Sequence, residues 1–146
     1  MPPQDFLDLA KRLASESSEV SWRSAISRAY YAMFHEVRNK LASWGFMIRQ
    51  SDQAHAGLTR RLLHSGNDSL VSLGEFLSDL KRHRNYADYD LRRPVHQSDA
   101  LVQVSRIEKS FQTTLNINRD EETKAVENIR RYESDVLREV TWQSPN

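Results

Sequence analysis

Apolar residues recur every three or four positions along most of this chain, the spacing that lines one face of an α-helix. The clearest run is Trp22, Ile26, Ala29, Tyr30, Met33, Phe34, Val37, Leu41 and Trp44, followed by Gly45 where a helix-ending glycine belongs. Within it Ala25, Ala29 and Ala32 form a thin strip that invites close approach of another helix. A shorter helix over Asp5 to about Ser15 precedes it, with Phe6, Leu7, Leu9, Ala10, Leu13 and Ala14 on one side. Residues 46 to 52 read as a connection, and a third helix is expected over Gln53 to His64, ending at Ser65-Gly66-Asn67. A fourth begins near Ser69, where Ser72 and Glu75 have capping-box spacing, and its stripe runs Leu70, Leu73, Phe76, Leu77, Leu80, then Arg84 and Ala87. Pro94 closes it, and Ser98 is the expected cap of a fifth helix through Leu101, Val104, Ile107, Phe111 and Leu115. Asn118 and Glu121 open a sixth, whose apolar positions Ala125, Ile129, Tyr132, Val136 and Val140 make a narrow seam for one partner helix.

Five or six helices with short links predict an all-α, up-and-down antiparallel bundle over residues 1–118, with a C-terminal amphipathic helix and tail over 119–146. Composition agrees. Glycine and proline number four each and no Asn-Gly or Asp-Gly turn occurs, which argues against a sandwich or barrel. Hydrophobic residues at 38% and charged residues at 28% suit long amphipathic helices. Cysteine is absent, so thiol chemistry is excluded and a zinc site would rest on His and carboxylates alone. No His-x-x-x-His or His-Glu-x-x-His spacing occurs, so neither metal nor cofactor is expected. The first residues resemble no signal peptide and no apolar run approaches membrane-spanning length, which predicts a cytoplasmic protein without a membrane partner. A net charge of +1 carries no global message, so affinity for nucleic acid must come from local clustering.

One cluster stands out. Residues 81–93, Lys-Arg-His-Arg-Asn-Tyr-Ala-Asp-Tyr-Asp-Leu-Arg-Arg, hold five cations against two Asp, with His83 and two tyrosines between them. Basic and aromatic groups together suit phosphate contact and base stacking. Without any such role the segment is a basic helix end that complements the helix dipole. Position sharpens the choice. Arg84 lies four residues after Leu80 and seven after Leu77, so it shares their face and must be partly buried. Asp88, one turn further, is in reach as its ion-pair partner. His83, about 100° around the helix from Arg84, points elsewhere.

Three blocks carry a family resemblance: Ser27-Arg28-Ala29-Tyr30-Tyr31-Ala32-Met33-Phe34-His35, then Ala54-His55-Ala56-Gly57-Leu58, then Arg84-Asn85-Tyr86-Ala87-Asp88-Tyr89-Asp90. In this order, over roughly residues 5 to 115, the chain resembles the HEPN family, in its small single-domain prokaryotic branch. The resemblance implies a helical bundle that forms a homodimer. It also implies a composite, metal-independent endoribonuclease site in which an arginine and a histidine from each copy act on RNA. The setting it implies is a toxin–antitoxin or defence module, often paired with a minimal nucleotidyltransferase as antitoxin. Carried onto this chain, the arginine is Arg84 and Asn85 follows it, but the histidine position holds Tyr89, leaving a degenerate Arg-x4-Tyr motif. Tyrosine titrates near pH 10, so it serves as a hydrogen-bond donor rather than a base.

The expected catalytic set is therefore Arg84, Asp88 and Tyr89, with Asn85, His83, Tyr31 and His55 as binding residues. Tyr30 and Tyr31 cannot both face one core, so one is expected inside and the other at the dimer surface. His35, His64 and His96 are expected in packing or capping roles. The alternative functions are a non-catalytic RNA- or nucleotide-binding module, and a protein adaptor docking through the seam of the last helix.

Overall fold

The computed structural model describes residues 1–51, 53–111, 113 and 116–145. It is all-helical, as the periodicity predicts, with α1 Gln4–Ala14, α2 Glu19–Ser43, α3 Ala54–Leu63, α4 Asp68–Tyr89, α5 Gln97–Phe111 and α6 Arg119–Tyr132. A single π-helical turn, Glu133–Leu137, extends α6 and ends at Arg138, which adopts a left-handed conformation with φ 51°. Among the described residues no strand forms, and no helix is long and apolar enough to cross a membrane. Leu115, expected to close the stripe of α5, lies outside the described residues.

The chain gathers into two compact units, Met1–Glu36 with Leu77–Thr113, and Val37–Phe76 with Thr114–Asn146. In the first unit most of the apolar stripe positions are buried, but Leu101, expected on the α5 stripe, is exposed, and Ala100 beside it takes the inward place. Leu7, Ala10 and Ala14 of α1 are buried, as are Ala100, Val104 and Ile107 of α5, the helix on which α1 packs. Ala25, Ala29 and Ala32 of α2 have no exposed surface, so the small-residue strip is fully covered. From α4, Leu77, Leu80, Arg84 and Ala87 enter the same interior. The end of α4 is held by a cation the sequence did not mark out. Arg23 donates from Nη1 to the carbonyls of Tyr86, Ala87 and Asp90 at 2.9–3.2 Å and from Nη2 to that of Arg93. These carbonyls lie in the last turn of α4 and the segment just beyond it, and the positive charge also complements the helix dipole there. Glu19 pairs with Arg23 and accepts from the Val95 amide, fixing the segment that follows α4.

In the second unit α3 packs on α6, and Leu58, Leu62, Leu70, Leu73, Ala125 and Ile129 are buried. Two positions of the proposed docking seam, Ala125 and Ile129, are thus covered by the chain's own helices, and Tyr132 stacks on His64 with ring centroids 3.8 Å apart. Val136 and Val140 are exposed. The predicted cap of α6 is present: the Glu121 amide donates to Asn118 Oδ1 at 2.8 Å. The predicted box at Ser72 and Glu75 is not used, because α4 starts earlier, where the Leu70 amide donates to Asn67 Oδ1 at 3.1 Å.

Gly45 ends α2 in a conformation, φ 106°, that side-chain-bearing residues avoid, and lets residues 45–47 pair with residues 141–143 as an isolated bridge. A Cβ there would collide with the Gln143 carbonyl and lie 2.6 Å from Trp142 Nε1. Gly45→Ala is expected to cost about 1–3 kcal/mol from backbone strain alone, with the collision adding to it. The midpoint of urea unfolding measures this, and an unchanged midpoint contradicts it.

Candidate functional site

Arg84 is brought inside by the register of α4, one turn after Leu80 and just before Ala87, and is only 7% exposed. A guanidinium in that position has lost most of its hydration and needs compensation from charge, hydrogen bonds or aromatic faces. It receives a partial set. Nη1 lies 3.8 Å from Asp88 Oδ2, close enough for charge attraction and too far for a hydrogen bond. Cζ lies 5.5 Å from the ring centroids of both Tyr30 and Tyr31, and 5.9 Å from that of Tyr89. The buried Nε has no hydrogen-bond partner among the described residues. Asp88 is itself engaged, accepting from Ser27 Oγ at 3.1 Å. Arg84 thus sits among three tyrosine rings with an unused donor.

The tyrosines divide as the sequence requires. Tyr30 is buried and Tyr31 half-buried, whereas Tyr89 is 74% exposed at the end of α4. Burial pushes the Tyr30 phenol above its ordinary value of 10, against the pull of the Arg84 charge, so it stays protonated. Phe6 and His35 continue the aromatic cluster beyond Tyr31, with His35 stacked on Phe6 at 5.5 Å. Chemically, the arrangement can receive an oxyanion at Arg84 and offer aromatic faces to a base. The groups placed around the guanidinium are the Asp88 carboxylate and the tyrosine rings.

The other expected residues lie elsewhere. Asn85 is half-buried on the adjacent face of α4, and His55 stands in the first turn of α3, in the second unit. His83 belongs to a separate network. Its Nδ1 shares a hydrogen bond with the Tyr86 hydroxyl at 2.9 Å, and its Nε2 lies 3.6 Å from Asp79, which also binds Arg82 at 2.7 Å and Arg106 at 2.8 Å. Asp79, Arg82, His83 and Tyr86, with Arg93 over the Tyr86 ring, line a small cavity of about 240 Å³. The hydrogen bond from Arg106 holds the Asp79 carboxyl below the usual carboxylate range. Partial burial holds His83 below its ordinary 6.5, against the attraction of Asp79. Because the unfolded chain protonates this imidazole first, His83 contributes stability above about pH 6.5 that is lost as pH falls below it. Unfolding midpoints measured from pH 7 to pH 5 should therefore fall less steeply for His83→Gln than for the parent protein; equal slopes contradict this.

His64 caps its helix as expected, donating from Nδ1 to the Arg60 carbonyl at 2.8 Å. Among the described residues no three His, Asp or Glu side chains gather as a metal site would need. Sequence reasoning missed the contribution of Ser27 and the anchoring role of Arg23. Ser27 opens the block that contains both inner tyrosines and lies on their side of α2, one turn before Tyr30 and Tyr31, which was the available signal. Comparison with protein-family models, characterised proteins and solved structures finds no match to this chain.

Proposed function

We propose that this chain is a HEPN-type toxin or defence protein that binds RNA, with Arg84 receiving a backbone phosphate in a groove formed by two copies of the chain. The observation that carries the reading is the Arg84 guanidinium, buried beside three tyrosine rings while its Nε has no partner. A buried cation that is incompletely paired lowers stability, and an incoming phosphate oxygen supplies the charge and acceptor it lacks. In this reading Tyr89, exposed at the end of α4, offers its ring to a base, and Asp88, tied to Ser27, supplies a nearby charge for the guanidinium. The order of the three sequence blocks supports the family assignment and the homodimer, and with them a nucleotidyltransferase-type antitoxin as partner.

Binding is better supported than strand cleavage by Arg84 and Tyr89 alone. A phenol is a poor acceptor for the 2′-hydroxyl proton near neutrality, and among the described residues Asp88 is the one carboxylate in contact with Arg84. The test is incubation of the purified protein with single-stranded RNA in chelator, reading anisotropy and gel mobility together. Saturable binding by a dimer is expected. Fragments of defined length would extend the activity to metal-independent cleavage, and absence of binding would overturn the proposal.

A further inference from the structure

The network around His83 plays no part in the reading of Arg84. Asp79, Arg82, His83 and Tyr86 stand three or four residues apart along α4 and so share one face of that helix. With Arg93, from the segment after α4, they line the cavity of about 240 Å³. Pockets for whole small molecules start at roughly 300 Å³, so this one suits a single chemical group of a larger ligand.

Charge decides which group. The carboxylates nearby are already engaged: Asp79 accepts from Arg82 at 2.7 Å and from Arg106 of α5 at 2.8 Å, and Asp99 of α5 accepts from the His96 amide at 2.8 Å. Arg93 is different. Its Cζ lies 3.9 Å from the centroid of the Tyr86 ring, and among the described residues its guanidinium makes no hydrogen bond or ion pair. Contact with a ring face uses none of the in-plane N–H donors, so this exposed cation is held in place with its donors free. A side chain already held loses less freedom when a ligand arrives. His83 adds a titrating group to the same wall, its Nδ1 bonded to the Tyr86 hydroxyl. A protonated imidazole donates from Nδ1, which leaves the Tyr86 proton for another acceptor.

We propose that this cavity binds a phosphate-type oxyanion, held by Arg93, Arg82 and the His83–Tyr86 pair. The site does not rest on the reading of Arg84. Its chemistry is shared by a phosphodiester of RNA and by a free phosphomonoester. Burial holds the His83 imidazole below its ordinary 6.5, against Asp79 of α4, while Arg106 of α5, Arg93 and Arg82 add to the effect. Asp99 of α5 and Arg23 of α2 also act on Tyr86. An anion in the cavity favours the protonated imidazole, so its affinity rises as pH falls through the range in which His83 titrates.

The experiment titrates sulfate, whose charge is constant over this range, into the ¹⁵N-labelled full chain at constant ionic strength. Saturable shifts are expected at the Arg93 Nε–H and the His83 ring, with tighter binding at pH 5.5 than at pH 7. Arg93→Gln changes an exposed side chain and is expected to weaken sulfate about tenfold at a nearly unaltered melting temperature, the effect of losing one charge-assisted contact. His83→Gln is expected to bind sulfate equally at the two pH values. Arg84→Met is expected to keep the response at Arg93, which separates failure of this site from failure of the RNA reading at Arg84. Displacement of sulfate by an RNA lacking terminal phosphates would assign the site to the polymer, and displacement by a nucleoside monophosphate alone would assign it to a phosphomonoester. Shifts that grow without saturating, shifts reproduced by chloride, equal affinity of the parent at both pH values, an Arg93→Gln protein that binds like the parent, or sulfate that neither competitor displaces would overturn the proposal.

Discussion

Glu133→Ala is expected to destabilise the protein by about 3–5 kcal/mol, because it leaves the Arg61 guanidinium buried without its counter-charge. Glu133 has no exposed surface, and its carboxylate accepts from Arg61 Nε, from the Thr141 amide and hydroxyl, and from the Trp142 amide. One side chain therefore joins α3, the π-helical turn and the chain's last described segment. The left-handed turn at Arg138 brings that segment back, and the Trp142 indole then donates to the Trp44 carbonyl at 2.9 Å. Removing the carboxylate leaves one cation and up to three donors without their acceptor. Arg61→Met combined with Glu133→Leu is expected to cost markedly less than Glu133→Ala, since an apolar pair of similar volume needs no solvation. Urea unfolding of the parent and both variants measures this, and a single variant within about 1 kcal/mol of the parent contradicts the account, being the range of an exposed pair.

Arg84→Met is expected to move stability and function in opposite directions. Methionine fills most of the same volume and removes a buried donor that has no partner, so the unfolding midpoint should hold or rise. Asp88 is not stranded by the change, because it reaches solvent and keeps Ser27. RNA affinity, in contrast, should fall about tenfold or more, the effect of losing a charge-assisted contact to phosphate of roughly 1.5–3 kcal/mol. A residue kept for folding would show the reverse, with lowered stability and unaltered RNA binding. Anisotropy titrations beside denaturation curves distinguish the two.

The contrast between Arg84 and the Arg61–Glu133 pair shows what the sequence discloses. The stripe Leu77, Leu80, Arg84, Ala87 is local, so the inward turn of Arg84 was legible from spacing alone. The same reasoning applies to Ala54, Leu58, Arg61 and to Ala125, Ile129, Glu133, where a charged residue also continues a buried series. There it went unread because the seam of α6 was continued through Tyr132 and Val136 instead, and the π-helical turn shifts the phase after Tyr132. Local signals such as Gly45 and the Asn118–Glu121 cap were visible for the same reason. At the start of α4, Asn67 and Ser72 both fit a cap by type, and the buried stripe beginning at Leu70 decides for Asn67. Contacts made across long stretches of sequence, such as Arg23 on the end of α4 or Ser27 on Asp88, leave no periodicity to find. The candidate site was therefore half legible: its central cation could be placed, and most of the groups that surround it could not.

The most direct measurement follows the Arg84 Nε–H resonance in a ¹⁵N-labelled protein as single-stranded RNA is added. The account predicts a saturable shift with slowed exchange against solvent, as an unpartnered donor gains a phosphate oxygen. If RNA binds while that resonance stays where it was, Arg84 is not the phosphate-receiving group and the proposed groove is wrong.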